Sequence, residues 1–550
     1  MHASALIVPA LVATVLDVAA PSLHALQAPI AEVAKVYGSA TGSSDLAGIS
    51  VAISGPTALV AAQSDGSAAP GAGSVYSFDL QPDGSWLETQ KLTASNAAAG
   101  DTFGRSVAIS GVRAIVGASG KDGSLGGNEG AAYVFERVGG VWGEAGALVA
   151  AGPIVGQEFG WSVAIDGDFA AVGAYRNATQ GSLAGAVYVF ERIAGNWTQT
   201  QVLYASDASD GAQFGWTLAM DGSTLLVGAD LQGPPGNGAG AVYVFEYSGS
   251  SWVETQRLKG SDTIPLDYFG WSVALEGDFA AIGATGSESA GEPFGKDEGA
   301  VYVFQRVGSS WVQTARLEAS DAAASDELGY AVGIAEGRVL AGSPDQDELG
   351  SNAGAAYLFE RDVSGTWAQT AKVLASDGQS GDLLGRALGL SGDRAIVGAR
   401  GDDDQGSSAG AAYLLDLEPL SAAVISISLS AGGLQSLTLD AGRDHGGEIY
   451  LLLGSLSGTA PGVPLAPGVA LPLNVDPYLL LTLDNPNQLP LLSSFASLNA
   501  VGHASAIFAV PPGSSGALAG LVAHHAFFTI DLTTFGVAFV SNALPVGLLP

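Results

Sequence analysis

The 550-residue chain contains no cysteine, which excludes a disulfide framework, a thiolate metal site and a cysteine nucleophile, so packing alone must stabilise it. Basic residues are few: 20 Lys and Arg stand against 54 Asp and Glu, a formal net charge of -34. That balance repels phosphate backbones and anionic lipid surfaces and argues against nucleic acid as a partner. Charged residues make up only 13% of the chain, but 47% is hydrophobic, enough for buried cores and incompatible with a disordered acidic tail. Histidine is missing between residues 25 and 444, which removes the commonest general base from most of the chain. Beyond the N-terminus every apolar run is broken by Gly, Pro or polar residues, short of the roughly 20 residues a spanning helix needs. No membrane span is expected.

Glycine is abundant, with 78 residues and no collagen period, which points to many tight turns between short strands and an all-β protein. At the N-terminus, residues 5–20 are apolar and Ala25 and Ala28 follow, the layout of a secretory h-region and cleavage zone. A signal peptide over 1–28 and a secreted or cell-surface location are expected. No Lys or Arg precedes the apolar run and Pro9 interrupts it, so a buried N-terminal segment is the competing reading.

Self-similarity recurs with a period of about 56 residues. The clearest copy runs Phe159-Gly160-Trp161-Ser162-Val163-Ala164-Ile165-Asp166-Gly167-Asp168, through Val172-Gly173-Ala174, to Gly185-Ala186-Val187-Tyr188-Val189-Phe190 and Trp197-Thr198-Gln199-Thr200-Gln201. Further copies begin at Phe103-Gly104, Phe214-Gly215 and Phe269-Gly270, and degenerate ones at Ala47-Gly48, Leu328-Gly329 and Leu384-Gly385, seven in all. A column of tryptophans, Trp86, Trp142, Trp197, Trp252, Trp311 and Trp367, keeps the same step. Period-two alternation and Gly-containing turns make each copy a four-stranded antiparallel sheet. Such sheets bury both faces by stacking around an axis, which predicts a seven-bladed β-propeller. The seventh copy, 384–417, has three strands and no tryptophan. Residues 32–39 match 88–95, with Lys35 at the place of Lys91, so the N-terminal strand is expected to pair with about 411–416 and close the seventh blade.

The Phe-Gly opening followed by Val-Gly-Ala resembles the FG-GAP repeat of integrin alpha-subunit propellers, in the variant common in secreted bacterial proteins. The resemblance spans residues 30–417 and implies a binding or adhesion scaffold. In integrin-type repeats a calcium loop separates the Phe-Gly strand from the Gly-Ala strand. Here the turns are only Asp166-Gly167-Asp168, Asp221-Gly222-Ser223, Glu276-Gly277-Asp278 and Ser391-Gly392-Asp393, too short to surround a cation needing six to eight oxygens, so those sites do not carry over.

Acidic residues instead cluster between second and third strands, at Asp345-Gln346-Asp347-Glu348 and Asp402-Asp403-Asp404, and between blades, at Asp207, Asp210, Asp262, Asp267, Asp321, Asp326, Asp377 and Asp382. All these loops emerge on one face, which should be strongly negative and suited to calcium or a basic partner. Asp402, Asp403, Asp404, Asp345 and Asp347 are the candidate calcium ligands; turn geometry and solubility explain the same residues without a metal. Arg400-Gly401-Asp402 spells an adhesion tripeptide but sits where other copies carry unrelated loops. Trp161, Trp216 and Trp271 suit either stacking on sugar rings or packing between blades. Ser162 occupies a repeat position without a histidine and reads as a strand residue.

After Pro419 charge becomes sparse and a new period-two pattern starts, predicting a C-terminal β-sandwich over 420–550, with strands near 424–430, 436–440, 449–453, 478–483, 504–510, 526–532 and 537–540. Its histidines are His445, His503, His524 and His525; the adjacent pair points to opposite faces of a strand and cannot easily share an ion. The expected domains are therefore a signal peptide at 1–28, a propeller at 29–419 and a sandwich at 420–550. The function expected is non-enzymatic binding to an extracellular protein or glycan, with calcium as its one possible ion. The alternatives are a polysaccharide-active enzyme using the axial pocket and a structural envelope component.

Overall fold

Two-residue turns such as Gly167-Asp168 fold each Phe-Gly strand back on its neighbour: Asp166 pairs with Phe169 and Val163 with Val172. The computed structural model describes residues 30–549 except 82–83, 234–236, 289–294, 363, 418–419, 423–425, 429–432, 442–447, 458, 460–461, 467–468, 499–502, 511–520, 531–536 and 542–543. The expected signal peptide and His445 lie outside the described residues.

In the third repeat Val163–Asp166, Phe169–Ala174, Ala186–Ile193 and Asn196–Leu203 form one antiparallel sheet in chain order. Six sheets of this kind occupy 47–92, 103–148, 163–203, 217–258, 272–317 and 332–373. The seventh consists of Leu384–Ser391, Arg394–Ala399 and Ala411–Asp416, with Ala31–Val36 hydrogen-bonded beside Ala411–Asp416 in the place of a fourth strand. Seven four-stranded antiparallel sheets are consistent with a β-propeller.

The burial pattern follows from stacking. The third strand of a sheet is buried at five successive positions, Ala186 to Phe190, because neighbouring sheets cover both its faces, whereas the outer strand Asn196–Leu203 alternates with solvent. Cores therefore form between sheets: Ile115, Val134 and Leu148 of the second sheet pack with Phe159, Val172, Tyr188 and Phe190 of the third. Phe159 is wholly buried and meets Tyr188 edge-on at 5.3 Å.

One backbone bond recurs at every junction. Phe103 N–H donates to Ala72 O at 2.8 Å, Phe159 N–H to Glu129 O at 3.1 Å, and Leu384 N–H to Ala353 O at 3.0 Å. The same bond, Ala47 N–H to Ala409 O at 2.8 Å, joins the seventh sheet to the first. Glycine makes this approach possible: a Cβ on Gly160, whose φ is +91°, would lie 2.2 Å from Ala131 O, and one on Gly173 would lie 2.2 Å from Gly215 O. Hairpin tips add a second set of links. Gly222 N–H donates to Asp166 Oδ2 at 2.8 Å, Gly277 N–H to Asp221 Oδ2 at 2.5 Å, and Gly55 N–H to Ser391 Oγ at 3.0 Å. These turn residues thus bind the neighbouring sheet's turn.

The chain divides into two compact units, one of Lys35–Gln81 with Trp86–Leu414 and one built mainly on Leu415–Pro550. In the second, one sheet orders Leu420–Ala422, Gly433–Asp440, His503–Val510 and Leu491–Leu492. Another orders Ser426–Ser428, Leu544–Leu549, Val522–Ile530, Ile449–Ser455 and Phe495–Ser497, with Val537–Val540 added on Val522–Ile530. Leu437, Leu439 and Phe508 from the first share a core with Tyr450, Leu452, Phe527 and Val546 from the other. The strand expected at 478–483 is instead the α-helix Pro477–Asp484. Asp476 caps it by accepting from Leu479 N–H at 2.8 Å, and Pro477 begins it. Tyr478, Leu479, Thr482 and Leu483 are buried at helical spacing, so the apolar run that resembled a strand is a helix face.

Gly160→Ala should destabilise the protein by roughly 3 kcal/mol, through a forbidden φ and a backbone clash. Gly167→Ala, with φ +52° and nothing within 4 Å of a new Cβ, should cost about 1 kcal/mol. Urea unfolding of the two variants checks the contrast.

Candidate functional site

The acidic cluster expected to hold calcium surrounds a lysine instead. Lys35 Nζ lies 2.6 Å from Asp402 Oδ2, 2.7 Å from Asp377 Oδ2 and 2.8 Å from Asp404 Oδ2. Tyr413 hydroxyl donates to Asp377 Oδ1 at 2.8 Å, and Tyr37 hydroxyl to Asp404 Oδ2 at 3.2 Å. Burial pulls the Lys35 pKa down, but the three carboxylates outweigh it and hold the group above the ordinary lysine range. Asp402 is 2% exposed and Asp403 is exposed without joining the cluster. Asp345 and Asp347 are also committed: Asn352 side-chain amide donates to Asp345, and Asn352 N–H donates to Asp347 Oδ1 at 2.8 Å. Among the described residues no group of three or more acidic or histidine side chains is arranged to hold a metal ion.

The Lys35 arrangement repeats around the sheets. Each third-strand tyrosine faces one fourth-strand residue: Tyr76 faces Lys91, Tyr243 Arg257, Tyr302 Arg316 and Tyr357 Lys372. These cations pair with Asp65 at 2.7 Å, Asp207 at 2.8 Å, Asp262 at 3.3 Å and Asp321 at 2.6 Å. Burial raises the Asp65 pKa, but hydrogen bonds from Lys91, Ser67 and Tyr76 overcome this and hold it down at about 2. Tyr133 and Tyr188 face Ala147 and Val202, and there the acid is an amide: Tyr133 hydroxyl donates to Asn96 Oδ1 at 2.6 Å, and Asn177 Nδ2 to Tyr188 hydroxyl at 3.0 Å. The acid is present where the cation is present, so these aspartates neutralise the fold's own bases. The second aspartate caps its own loop in three cases, Asp267 Oδ2 accepting from Ile264 N–H at 2.9 Å, Asp326 Oδ2 from Ala323 N–H at 2.8 Å and Asp382 Oδ2 from Gln379 N–H at 2.7 Å, whereas Asp210 Oδ1 accepts from Ser182 N–H of another loop at 2.8 Å.

A cavity of about 660 Å³ is lined by all seven sheets. The residue after each junction glycine supplies its mouth: Ile49, Arg105, Trp161, Trp216, Trp271, Tyr330 and Arg386. Six of these form a continuous belt. Arg105 stacks on Trp161 with its guanidinium 3.7 Å from the ring centre. Trp161 and Trp216 lie 5.0 Å apart, Trp216 and Trp271 5.1 Å, and Trp271 and Tyr330 5.3 Å. Arg386 closes the belt 4.6 Å over Tyr330. The tryptophans thus pack between neighbouring sheets and also face the cavity. Hydroxyls also line it, and three of them donate to the next sheet: Ser106 Oγ to Gly160 O at 3.0 Å, Ser162 Oγ to Gly215 O at 2.7 Å and Ser272 Oγ to Gly329 O at 2.7 Å. Glu158 is the cavity's carboxylate and pairs with Arg176 at 3.0 Å. Arg400 also lines the cavity. Its tripeptide is therefore split between the cavity and the Lys35 cluster.

Sequence reasoning found the three tryptophans but missed Arg105, Tyr330 and Arg386, and singled out Arg400 only as part of the tripeptide. The step of about 56 residues that fixed the tryptophan column could have found the first three. In the second unit His525 is fully buried, 2.9 Å from Tyr478 hydroxyl, with burial pushing its pKa down to about 3. His524 is half-buried.

The FG-GAP repeat model matches residues 86–135, 142–190, 197–245, 252–304, 311–359 and 367–415, more than half of the chain. The protein belongs to the FG-GAP repeat family. Each matched FG-GAP repeat runs from the outer strand of one sheet through three strands of the next, so six repeats reach all seven sheets and the first sheet's Ala47-Gly48 opening stays unmatched. No curated protein matches the chain.

Lys35→Met should cost about 3 kcal/mol, because it leaves the buried Asp402 uncompensated; urea unfolding measures it. Calcium at millimolar concentration should leave the melting temperature of the unsubstituted protein unchanged. Stability should also depend on pH in an unusual direction. Burial raises Asp230 and Glu327 to about 7 and Asp267 and Asp326 to about 6. Between about pH 4 and 7 these four carboxyls hold protons in the folded protein that the unfolded chain has released, so stability falls as pH rises, and the opposing His525, which stays neutral when folded, is outweighed by the four. The melting temperature should increase from pH 8 to pH 5, and Asp230→Asn should reduce that increase.

Proposed function

We propose that the seven sheets form a closed propeller fastened by the N-terminal strand, followed by a β-sandwich, in an exported protein of the secreted bacterial FG-GAP type. Its role is non-catalytic binding outside the cell, and the axial mouth is the contact site. The observation that carries this reading is the belt from Arg105 through Trp161, Trp216, Trp271 and Tyr330 to Arg386 around a cavity drawn from every sheet. Aromatic faces and arginine forks are the residue types most often decisive at binding sites. Closure is supported by the Ala47–Ala409 bond, which repeats the junction found between the other sheets, and by the absence of exposed sheet edges that it would bring. Among the described residues no helix is long and apolar enough to cross a membrane.

A second reading, action on a polysaccharide, has one observation in its favour. Glu327 hydrogen-bonds Asp345, and burial first, then the charges of Asp345 and Asp297, raises its pKa to about 7, a value suited to a general acid. The cavity itself, however, presents Glu158, already paired with Arg176, and its repeat serines hold neighbouring sheets.

Co-sedimentation of the protein with insoluble extracellular matrix of stated composition, such as acidic plant or bacterial polysaccharide gels, tests the reading. Retention should fall at least tenfold in a Trp216→Ala/Trp271→Ala variant that keeps its melting temperature. Equal retention would remove the axial mouth from the function, and release of reducing sugar that Glu327→Gln abolishes would favour the enzyme.

A further inference from the structure

The arginines at the mouth stand apart in a chain otherwise dominated by acids. Lys35, Lys91, Arg137, Arg257, Arg316 and Lys372 each have a carboxylate partner. Arg105, Arg386 and Arg400 line one cavity, and the described residues supply no ion pair to any of them. Burial lowers the pKa of Arg105 and Arg400, and in both the charge of Arg386 lowers it further, against smaller raising effects of Glu158 on Arg105 and Asp345 on Arg400. Arg386 therefore repels both Arg105 and Arg400 in a partly desolvated space, a repulsion that an entering anion would relieve.

The remaining walls narrow the choice of anion. With Arg105 over Trp161 and Arg386 over Tyr330, Trp216 and Trp271 are the lining rings that suit the C–H face of a pyranose. Gln63, Ser119 and Asn128 are neutral groups that can exchange hydrogen bonds with ring hydroxyls. Arg105 over Trp161 and Arg386 over Tyr330 are held by these rings, and their N–H groups suit a carboxylate. The stacked arginines also occupy both ends of the aromatic belt, where a basic side chain from a partner would otherwise bind.

We propose that the axial cavity binds a carboxylated sugar, with its pyranose ring on the tryptophan belt and its carboxylate held by Arg105, Arg386 and Arg400. This deepens the binding reading and rests on it. Either a free uronate or a uronate unit of a polysaccharide carries the required chemistry.

Tryptophan fluorescence titrated with galacturonate, trigalacturonate and galactose tests it. Galacturonate or its trimer should shift the emission at least tenfold more tightly than galactose, and added salt should weaken only the acidic sugars. Stronger binding of the trimer would assign the site to polymer, and equal binding to the free sugar. Arg386→Ala/Arg400→Ala should keep or raise the melting temperature, since it relieves repulsion, and should weaken galacturonate at least tenfold while leaving galactose unaffected. Equal response to galacturonate and galactose, or none to either, would overturn the proposal. If matrix retention still required Trp216 and Trp271, binding through the mouth would survive that failure with a different ligand.

Discussion

The close backbone contact between one sheet and the next governs the rest of the molecule. Each Phe-Gly strand approaches the preceding sheet so tightly that a Cβ at Gly160 would sit 2.2 Å from Ala131 O, and the amide before that glycine donates to the preceding sheet at every junction. The contact fixes the angle between successive sheets. It also fixes where the next residue goes: Ile49, Arg105, Trp161, Trp216, Trp271, Tyr330 and Arg386 all arrive at one cavity because each follows a junction glycine. A structural requirement thus creates a column of positions whose side chains the fold does not specify, and those positions are free to take up recognition.

Charge is organised by a separate rule. The chain's net charge of -34 suggests an acidic binding face, but the loop aspartates are largely spoken for. Lys35, Lys91, Arg257, Arg316 and Lys372 each stand opposite or beside a tyrosine of the third strand and draw an aspartate from a loop, and Ala147 and Val202 coincide with amides. A lysine ammonium does at Asp402 what calcium would do in a loop of oxygens: it neutralises converging carboxylates and ties the N-terminal strand to the loops around it.

Much of the fold was legible because the repeat supplies several independent copies of the same pattern. The match of 32–39 to 88–95, with Lys35 in the register of Lys91, was enough to place Ala31–Val36 beside Ala411–Asp416. Most of the ion pairs beside the third-strand tyrosines were not legible, since apart from Lys91 with Asp65 they join residues from different copies: Lys35 to Asp402 spans nearly the whole repeat region. A composition rich in aspartate therefore left a metal site and plain turn geometry as competing readings. The helix Pro477–Asp484 was missed for a different reason, because a short leucine run carries no period of its own and only the Asp476-Pro477 start betrayed it. The axial arginines were hidden by chemistry that varies from copy to copy, which is where a repeat protein's recognition residues are hardest to find by self-similarity.

The most direct measurement is a crystal structure of the protein grown with trigalacturonate. Density for a sugar ring on Trp216 and Trp271, with its carboxylate on Arg386 or Arg105, is the expected result. An axial mouth without sugar, with those arginines turned onto carboxylates of the protein itself, would contradict the assignment of the cavity as a recognition site.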